Sequence, residues 1–415
     1  IPGTNDIATF NTTTSNCLIN ANISISGIAI TSSYTGTVTQ QNGKTITLAA
    51  SGFNQAGGTF NGGTSTIDIN SGTFTLSNGT FTSTAGGIYI GGNYNSNVTL
   101  FTHSGGTFNH NNGLVAIDPS VNGWAGTPTF TVDVLTNTKF YDFLYNGSTC
   151  CNTNRLATAT GDTIDVENDF THADGFITGN IEVKNNLNVN SGTDGGSGVI
   201  IINGTGAQTY STTGTHRTTH IYIDKPSGTF MPGGGTSNLY TQKFTLVNGD
   251  FTAPSGTLAA GGTWGSSQNL FTHSGGTFTA NNGTVLIDPA VNSWTGSPTF
   301  TLDVLNSTYL YNLIFNASTC CNTAIIASAS GDTIDAENNF THTDGFISAT
   351  LEVKNDLSIA AGTDGGSGII YINGSGTQRY SSTGSHRTCH IFVDKPSGTF
   401  SAHGGTSNLY MQKFT

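Results

Sequence analysis

The chain has 415 residues, of which 56 are glycine and only 9% are charged, against roughly 25% in an ordinary soluble domain. Its 12 Lys and Arg face 24 Asp and Glu, and a net charge of −12 argues against nucleic acid as a partner. No apolar run approaches the roughly 18 residues of a membrane-spanning helix, so membrane insertion is not expected. Abundant Thr, Ser, Asn and Gly predict an all-β chain of short strands and tight turns.

The first predicted strands lie near the N-terminus, where Cys17 alternates in phase with Ile19, Ile23 and Ile25. Side chains two positions apart lie on the same face of a strand, so Cys17 is expected to be a small, buried residue. The opening Ile1–Gly3 shows no signal peptide, and the chain is expected to be a mature or excised segment.

A short motif then recurs: a Phe, four residues, a Gly, one residue, and a Phe or Ile. Its copies begin at Phe53, Phe74, Phe101, Phe170, Phe244, Phe271 and Phe340. Where copies are consecutive, their starts fall within the spacing of roughly 20–45 residues that is typical of stacked coils, each adding a strand above the previous one. Five second rings are expected to form a buried interior column: Phe60, Phe81, Phe108, Phe251 and Phe278.

Alternating segments follow several motifs. In 181–184, for example, Ile181 and Val183 are expected to point inward, and Glu182 and Lys184 outward. Asn-Gly, Gly-Gly and Asp-Gly pairs supply the corners between such segments. We therefore predict a parallel β-solenoid of about 17 coils, on the order of 80 Å long. The alternative is a string of tandem β-sandwich domains, which the short period disfavours.

The densest charge group is the acidic segment 162–169. Carboxylates in such a pattern bind Ca²⁺ or hydrolyse glycosidic bonds. The calcium candidates are Asp162, Asp165 and Glu167, with their later counterparts Asp332, Asp335 and Glu337. The favoured interpretation is a solvated acidic face. Catalysis is disfavoured because a polysaccharide lyase needs Lys or Arg near its carboxylates, and the segment contains neither. We predict no catalytic residue and no cofactor, with calcium as the alternative.

Two further patterns have structural interpretations. The segment TDGGSG at Thr193 is interpreted as a tight corner. The pairs His216/His220 and His386/His390 are each four positions apart. On a strand this spacing is about 13 Å, too far for one metal ion, so they are expected to be surface histidines.

Adjacent cysteines occur twice, at Cys150–Cys151 and at Cys320–Cys321. Three arrangements remain open for them: strained vicinal disulfides, one buried and one exposed thiol in each pair, or a disulfide to another chain. A bond between Cys150 and Cys320 is excluded in one solenoid, because about seven coils would separate them by roughly 34 Å. Cys389 is expected to be buried.

A longer repeat contains these motifs. LFTHSGGTF at Leu100 recurs at Leu270, and DKPSGTF at Asp224 recurs at Asp394, with the same offset and no insertion or deletion. We predict three segments on this basis: an N-terminal solenoid segment 1–75, repeat copy one at 76–245, and repeat copy two at 246–415.

FTHSGGTFNHNNG, GTGAQTYST and PGTNDIATFNTTTSNCLINANISISG resemble very large repetitive bacterial surface proteins. These are β-solenoid exoproteins of the filamentous-haemagglutinin and autotransporter-passenger adhesin type. The resemblance extends over nearly the whole chain. It implies secretion to the extracellular space or cell surface and a structural or adhesive role, and it brings no catalytic residues.

We accordingly predict a secreted structural protein rather than an enzyme: a segment of a filament, surface fibre or adhesin stalk. The C-terminal segment has no cap, so a self-association edge is expected at Leu409, Tyr410, Met411 and Phe414. The expected partner is another copy, joined head to tail into a homopolymer, with cell-surface glycans as a further partner. The alternative is a carbohydrate-binding or carbohydrate-active β-helix. It is disfavoured because any groove should occur in both copies.

Overall fold

The computed structural model describes residues 3–12, 14–121, 127–147, 154–291, 296–317 and 324–415. They form two compact units. The first unit comprises Ile1–Gly204 and Gln208–Thr219, and the second comprises Thr205–Ala207 and His220–Thr415. Within this described part there are strands and turns but no α-helix, and hence no helix able to span a membrane.

The first unit contains β1 (Ile7–Phe10), β2 (Cys17–Ile19), β3 (Ile23–Ile30), β4 (Thr37–Gln40), β5 (Ile46–Asn61), β6 (Ile67–Asn70), β7 (Phe74–Thr82), β8 (Ile88–Tyr94), β9 (Val98–His103), β10 (Thr107–Asn109), β11 (Leu114–Val121), β12 (Thr129–Asp133), β13 (Lys139–Phe140), β14 (Asp142–Asn146), β15 (Arg155–Thr158), β16 (Thr163–Val166), β17 (Phe170–Ile177), β18 (Asn180–Val183), β19 (Leu187–Gly195), β20 (Val199–Ile202) and β21 (Gln208–Thr212).

The second unit contains β22 (His220–Pro232), β23 (Asn238–Thr241), β24 (Phe244–Thr252), β25 (Thr257–Trp264), β26 (Gln268–His273), β27 (Thr277–Thr279), β28 (Thr284–Val291), β29 (Thr299–Val304), β30 (Tyr309–Leu310), β31 (Asn312–Asn316), β32 (Ile325–Ser328), β33 (Ile334–Ala336), β34 (Phe340–Ile347), β35 (Thr350–Val353), β36 (Leu357–Ile372), β37 (Gln378–Ser382), β38 (Thr388–Val393), β39 (Phe400–Ala402) and β40 (Met411–Phe414).

Each unit is a parallel β-solenoid, which confirms the predicted fold class. Strands from successive coils pair in parallel, as β5 does with β7 and β7 with β9 in the first unit. In the second unit β24 pairs with β26, and β34 with β36. Tandem β-sandwiches would have antiparallel sheets instead, so that alternative is wrong.

The interior column of phenylalanines is present as predicted. In the first unit Phe60 stacks on Phe81 with ring centroids 5.1 Å apart, and Phe81 stacks on Phe108 at 5.7 Å. In the second unit Phe251 and Phe278 lie 5.8 Å apart. All five rings are buried. The column forms because parallel register places the same motif position of successive coils directly above one another.

The motif glycine is required by the close approach of successive coils. Gly79 and Gly106 have φ values of 87° and 82°, in the left-handed region that favours glycine. A Cβ atom on Gly106 would collide with the carbonyl oxygen of Gly79 in the coil before it. The turn between the two Phe positions therefore needs glycine for both its backbone conformation and its lack of a side chain.

Equivalent strands of the two repeat copies have the same local register. β14 pairs with β17 through Phe143 and Phe170, and β31 pairs with β34 through Leu313 and Phe340. The register shifts after Tyr145 in the first case and at the matching position in the second. The division between the two compact units at residues 219/220 does not coincide with the copy boundary at 245/246. The three-segment division 1–75, 76–245 and 246–415 stays a prediction.

The alternating burial expected at 181–184 is confirmed, since Ile181 and Val183 are buried while Glu182 and Lys184 are partly exposed. Cys389 is buried as expected. Cys17 was expected to be buried but is only half-buried, because it borders a cavity beside Leu18 and Ile19.

Candidate functional site

The acidic segment of copy one forms a cluster with two lysines. Lys139 of β13 and Asp165 of β16 are register partners, so their side chains meet on the outer face, where the lysine Nζ contacts Asp165 Oδ2. Lys184, just after β18, places its Nζ 2.8 Å from Asp165 Oδ1 and 3.4 Å from Glu167 Oε1. The interpretation as a solvated acidic face is therefore wrong for Asp165, which is buried and paired with two lysines. The coils bring in lysines that lie 26 and 19 positions away in the sequence.

The burial of Asp165 explains why two lysines lie beside it. Asp165 is only 8% exposed, and a carboxylate so far removed from water needs charged partners. The pKa of Lys139 is lowered by burial and by the positive charge of Lys184, although Glu167 partly opposes the shift. Asp162 has a structural role instead, because its Oδ2 accepts a 2.9 Å hydrogen bond from the backbone N–H of Val134. A cavity of about 220 Å³ borders Asp162, Asp165 and Glu182.

The cluster of copy two has one lysine fewer, because Tyr309 of β30 replaces Lys139 as the register partner of the aspartate. Lys354 alone contacts Asp335 Oδ2 at 3.1 Å, Glu352 Oε2 at 3.2 Å and Glu337 Oε1 at 4.0 Å. Within the described ranges, Asp335 Oδ1 is buried with no hydrogen-bond partner.

The pKa values in the second cluster follow from this arrangement. The pKa of Asp335 is raised by burial, which outweighs its hydrogen bond to Lys354. Burial lowers the pKa of Lys354. Its hydrogen bonds to Asp335 and Glu352, together with the negative charges of these two residues, have a larger opposite effect, so the pKa of Lys354 is raised. Asp332 repeats the structural bond of Asp162, accepting a 2.8 Å hydrogen bond from the backbone N–H of Val304.

No group of three or more His, Cys, Asp or Glu side chains is arranged to hold a metal ion in the part of the chain that the structure describes. At Asp165 and Asp335 lysine ammonium groups occupy the space beside the carboxylates. Calcium binding by the six candidate carboxylates stays a prediction, for which a chelation experiment is given below.

Two aspartates and a histidine approach one another in each unit, and sequence reasoning missed both trios. The pKa of Asp174 is raised by burial, although a 2.7 Å hydrogen bond from the backbone N–H of Gly175 and the nearby His216 oppose the shift. The pKa of Asp194 is raised by burial and by the charge of Asp174. The second unit repeats the trio as Asp344, Asp364 and His386. The sequence signal that could have identified this trio is that its three residues recur in both copies. Such groups can exchange protons with a ligand, and they also occur in purely structural networks.

The two histidine pairs, which were expected to lie at the surface, each have one exposed and one half-buried ring. His216 and His386 are exposed. His220 is half-buried and its Nε2 lies 2.9 Å from the hydroxyl of Thr245, and burial lowers its pKa to about 4. His390 makes the equivalent 3.0 Å contact with Thr415. The tight corner expected at TDGGSG is confirmed, since Gly195 and Gly196 both have positive φ.

The predicted self-association edge lies at strand β40 and the residues before it. Met411, Lys413 and Phe414 pair with β38, and among the described strands β40 has no partner on its other side. Leu409, Tyr410 and Met411 are half-buried, and Phe414 is 59% exposed. The cysteines Cys150, Cys151, Cys320 and Cys321 lie outside the described residues.

No protein-family model, curated protein or solved structure matches the chain. Its function therefore has to be inferred from the fold and from the contacts described above.

Proposed function

We propose that the chain is a secreted structural protein that forms or extends an extracellular filament, surface fibre or adhesin stalk. Copies would join head to tail by pairing their β edges. A parallel β-solenoid is compatible with such a role, because its coils stack through backbone hydrogen bonds and a continuous apolar interior.

The observation that carries the proposal is the contrast between Phe244 and Phe414, which occupy equivalent positions in the two copies. Phe244 pairs with Ile221 on one side and with Phe271 on the other, and it is fully buried. Phe414 pairs with Ile391 on one side, in the same way, but it is 59% exposed. Its exposed face matches the surface that a further coil covers in copy one.

The first coils offer a complementary surface. Among described strands, β1 pairs only with β3, which leaves its other edge without a described partner. Ile7 and Leu18 are 50% and 56% exposed. A cavity of about 210 Å³ borders Leu18 and is lined chiefly by apolar side chains that include Phe10 and Ile23. Placing β40 of one copy against this edge would continue the parallel ladder and cover apolar surface at both ends.

The geometry of such contacts predicts an open polymer. The two edges are different surfaces, so the interface is heterologous, and a heterologous interface that does not close into a ring gives a filament. The location at the cell surface or outside the cell rests on the resemblance to repetitive bacterial adhesins and on the weakly charged composition. This location is therefore part of the proposal.

Sedimentation velocity and negative-stain microscopy of the purified 415-residue chain test this function. We expect particles that grow in length as the protein concentration rises. A stable monomer at all concentrations, with slow amide exchange along β40, would contradict the proposal.

A further inference from the structure

A polar groove in the second unit contains charged residues that copy one lacks. It has a volume of about 330 Å³ and lies across strands β34, β36 and β37, with Asp356, Arg379 and His403 among its lining residues. We call it the Arg379 groove. It does not overlap the lysine cluster around Asp335 or the edge at β40.

Parallel register builds one wall of the groove from hydroxyl groups. Thr341 pairs with Ser358, and Ser358 pairs with Ser381 in the next coil. The Oγ atoms of Ser358 and Ser381 lie 2.9 Å apart. His403 follows directly after Ala402, the register partner of Tyr380, so it extends this column by one coil. The column offers a hydroxyl or imidazole group about every 4.8 Å.

The charged residues lie two positions before the hydroxyl column, Asp356 before Ser358 and Arg379 before Ser381. Asp356 precedes β36, and its Oδ1 accepts a 2.8 Å hydrogen bond from the backbone N–H of Arg379. This bond places Arg379 next to Asp356 in the following coil. Arg379 and His403 are both exposed, and within the described ranges neither side chain has a hydrogen-bond or ion-pair partner. The five N–H donors of the guanidinium are therefore open to a ligand.

Copy one does not reproduce this chemistry. Its residues at the positions equivalent to Asp356, Arg379 and His403 are Asn186, Thr209 and Gly233. The Thr209 hydroxyl donates a 2.8 Å hydrogen bond to Asn186 instead. The expectation that any groove would occur identically in both copies is therefore wrong at this position. The Arg379 guanidinium and the His403 imidazole are therefore specific to copy two.

We propose that the Arg379 groove binds an acidic polysaccharide through a uronate sugar. A guanidinium matches a carboxylate with two parallel hydrogen bonds. The hydroxyl column suits the hydroxyl groups of neighbouring sugars, since one coil spacing is close to the size of a sugar ring. Nucleic acid does not fit, because a chain of net charge −12 with one arginine in the groove cannot neutralise several phosphates.

The test is calorimetric titration of the full chain with a galacturonate oligomer, and with the same oligomer methyl-esterified to remove its charge. We expect one binding site per chain for the charged oligomer and weak binding of the ester. Replacing Arg379 and His403 by their copy-one counterparts, Arg379→Thr and His403→Gly, should each weaken binding, the arginine change by about ten-fold or more. Arg155→Thr is the matched control, since it removes the same charge from the first unit.

Several results would overturn the inference. These are no binding by the unmodified chain, equal affinity of the Arg379→Thr and Arg155→Thr variants, or equal binding of the esterified oligomer. Competition by inorganic phosphate at the same concentration as the oligomer would also overturn it, since the groove would then be an unspecific anion site. An unchanged melting temperature of each variant shows that it is folded. Binding at this groove does not need self-association, so the filament proposal can fail independently.

Discussion

The Nδ1 atom of His172 lies 3.0 Å from the Oγ1 atom of Thr218, although the two are 46 positions apart in the sequence. The Nε2 atom of the same ring lies 2.8 Å from the carbonyl oxygen of Gly175. A carbonyl can only accept, so Nε2 carries the proton and Nδ1 accepts from the threonine hydroxyl. His342 repeats the arrangement with Thr388 and Gly345. Within each unit, these buried, neutral rings form hydrogen bonds between segments that are far apart in the sequence.

The buried histidines predict a loss of stability in mild acid. Burial lowers the pKa of His172 and of His342 to about 4, from an ordinary value of 6.5. Between pH 6.5 and pH 4 the unfolded chain binds more protons than the folded chain. The stability that the two buried histidines contribute is therefore complete above pH 6.5 and is lost as the pH falls towards 4. We expect the drop in melting temperature from about pH 7 to about pH 5 to be smaller in His172→Gln than in the unmodified chain.

Glutamine is a suitable replacement, because Gln55 occupies the same motif position after Phe53 and donates to the carbonyl oxygen of Gly57 at 3.1 Å. His403→Gln, which makes the same replacement at an exposed histidine, serves as the control. Equal pH dependence in all three proteins would show that the buried ring is not protonated on unfolding.

The phenylalanine column predicts a large effect of a single core substitution. Phe81 stacks between Phe60 and Phe108 and is fully buried. Phe81→Ala should therefore lower the free energy of unfolding by about 3–5 kcal/mol, measured by urea denaturation. Phe414→Ala removes an exposed ring and should lower the free energy of unfolding of the dilute protein far less. Similar losses for the two variants would show that the interior column does not hold the coils together.

The open edge predicts that a charge at Phe414 blocks assembly. Phe414→Lys should shift the sedimentation profile from polymer to monomer, because an ammonium group would be buried against the apolar first coils of the next copy. The melting temperature of the dilute chain should be unchanged. Tyr89→Lys, at another exposed aromatic residue, should still assemble. Filaments formed equally well by Phe414→Lys would exclude β40 as the edge that joins copies.

The lysine clusters predict that chelation has no effect on stability. Because Lys184 and Lys354 supply the positive charge beside Asp165 and Asp335, the melting temperature should be the same with and without EDTA. A clear decrease with EDTA, abolished when Asp165 and Asp335 are replaced by Asn, would instead establish a calcium site.

The missing lysine of copy two predicts a stabilising substitution. Tyr309→Lys would place an ammonium group opposite Asp335, whose Oδ1 atom is buried without a partner in the described part of the chain. We expect a gain of up to about 1 kcal/mol that shrinks at high salt. The reverse change in copy one, Lys139→Tyr, should destabilise. A salt-independent effect of Tyr309→Lys would mean that the new side chain acts through packing rather than charge.

Composition and local pattern were sufficient for the architecture. The Phe-to-Gly-to-Phe spacing and the alternation at 181–184 predicted the parallel solenoid and its buried rings, because both depend on side-chain direction along one strand and on glycine-specific turns. These are properties that neighbouring residues determine among themselves. The self-association edge at Phe414, which was inferred by comparing the two copies, stays a prediction.

Which side chains meet across coils was decided by the tertiary structure. Coil length varies along the chain, so Lys139 lies 26 positions before Asp165 while Lys184 lies only 19 after it. No fixed period in the sequence pairs these residues, and none pairs His172 with Thr218. The Arg379 groove likewise exists because β34, β36 and β37 stack in one register and bring together residues 341, 358, 381 and 403. Local sequence specifies the coil, whereas the stacking of unequal coils specifies its polar surface.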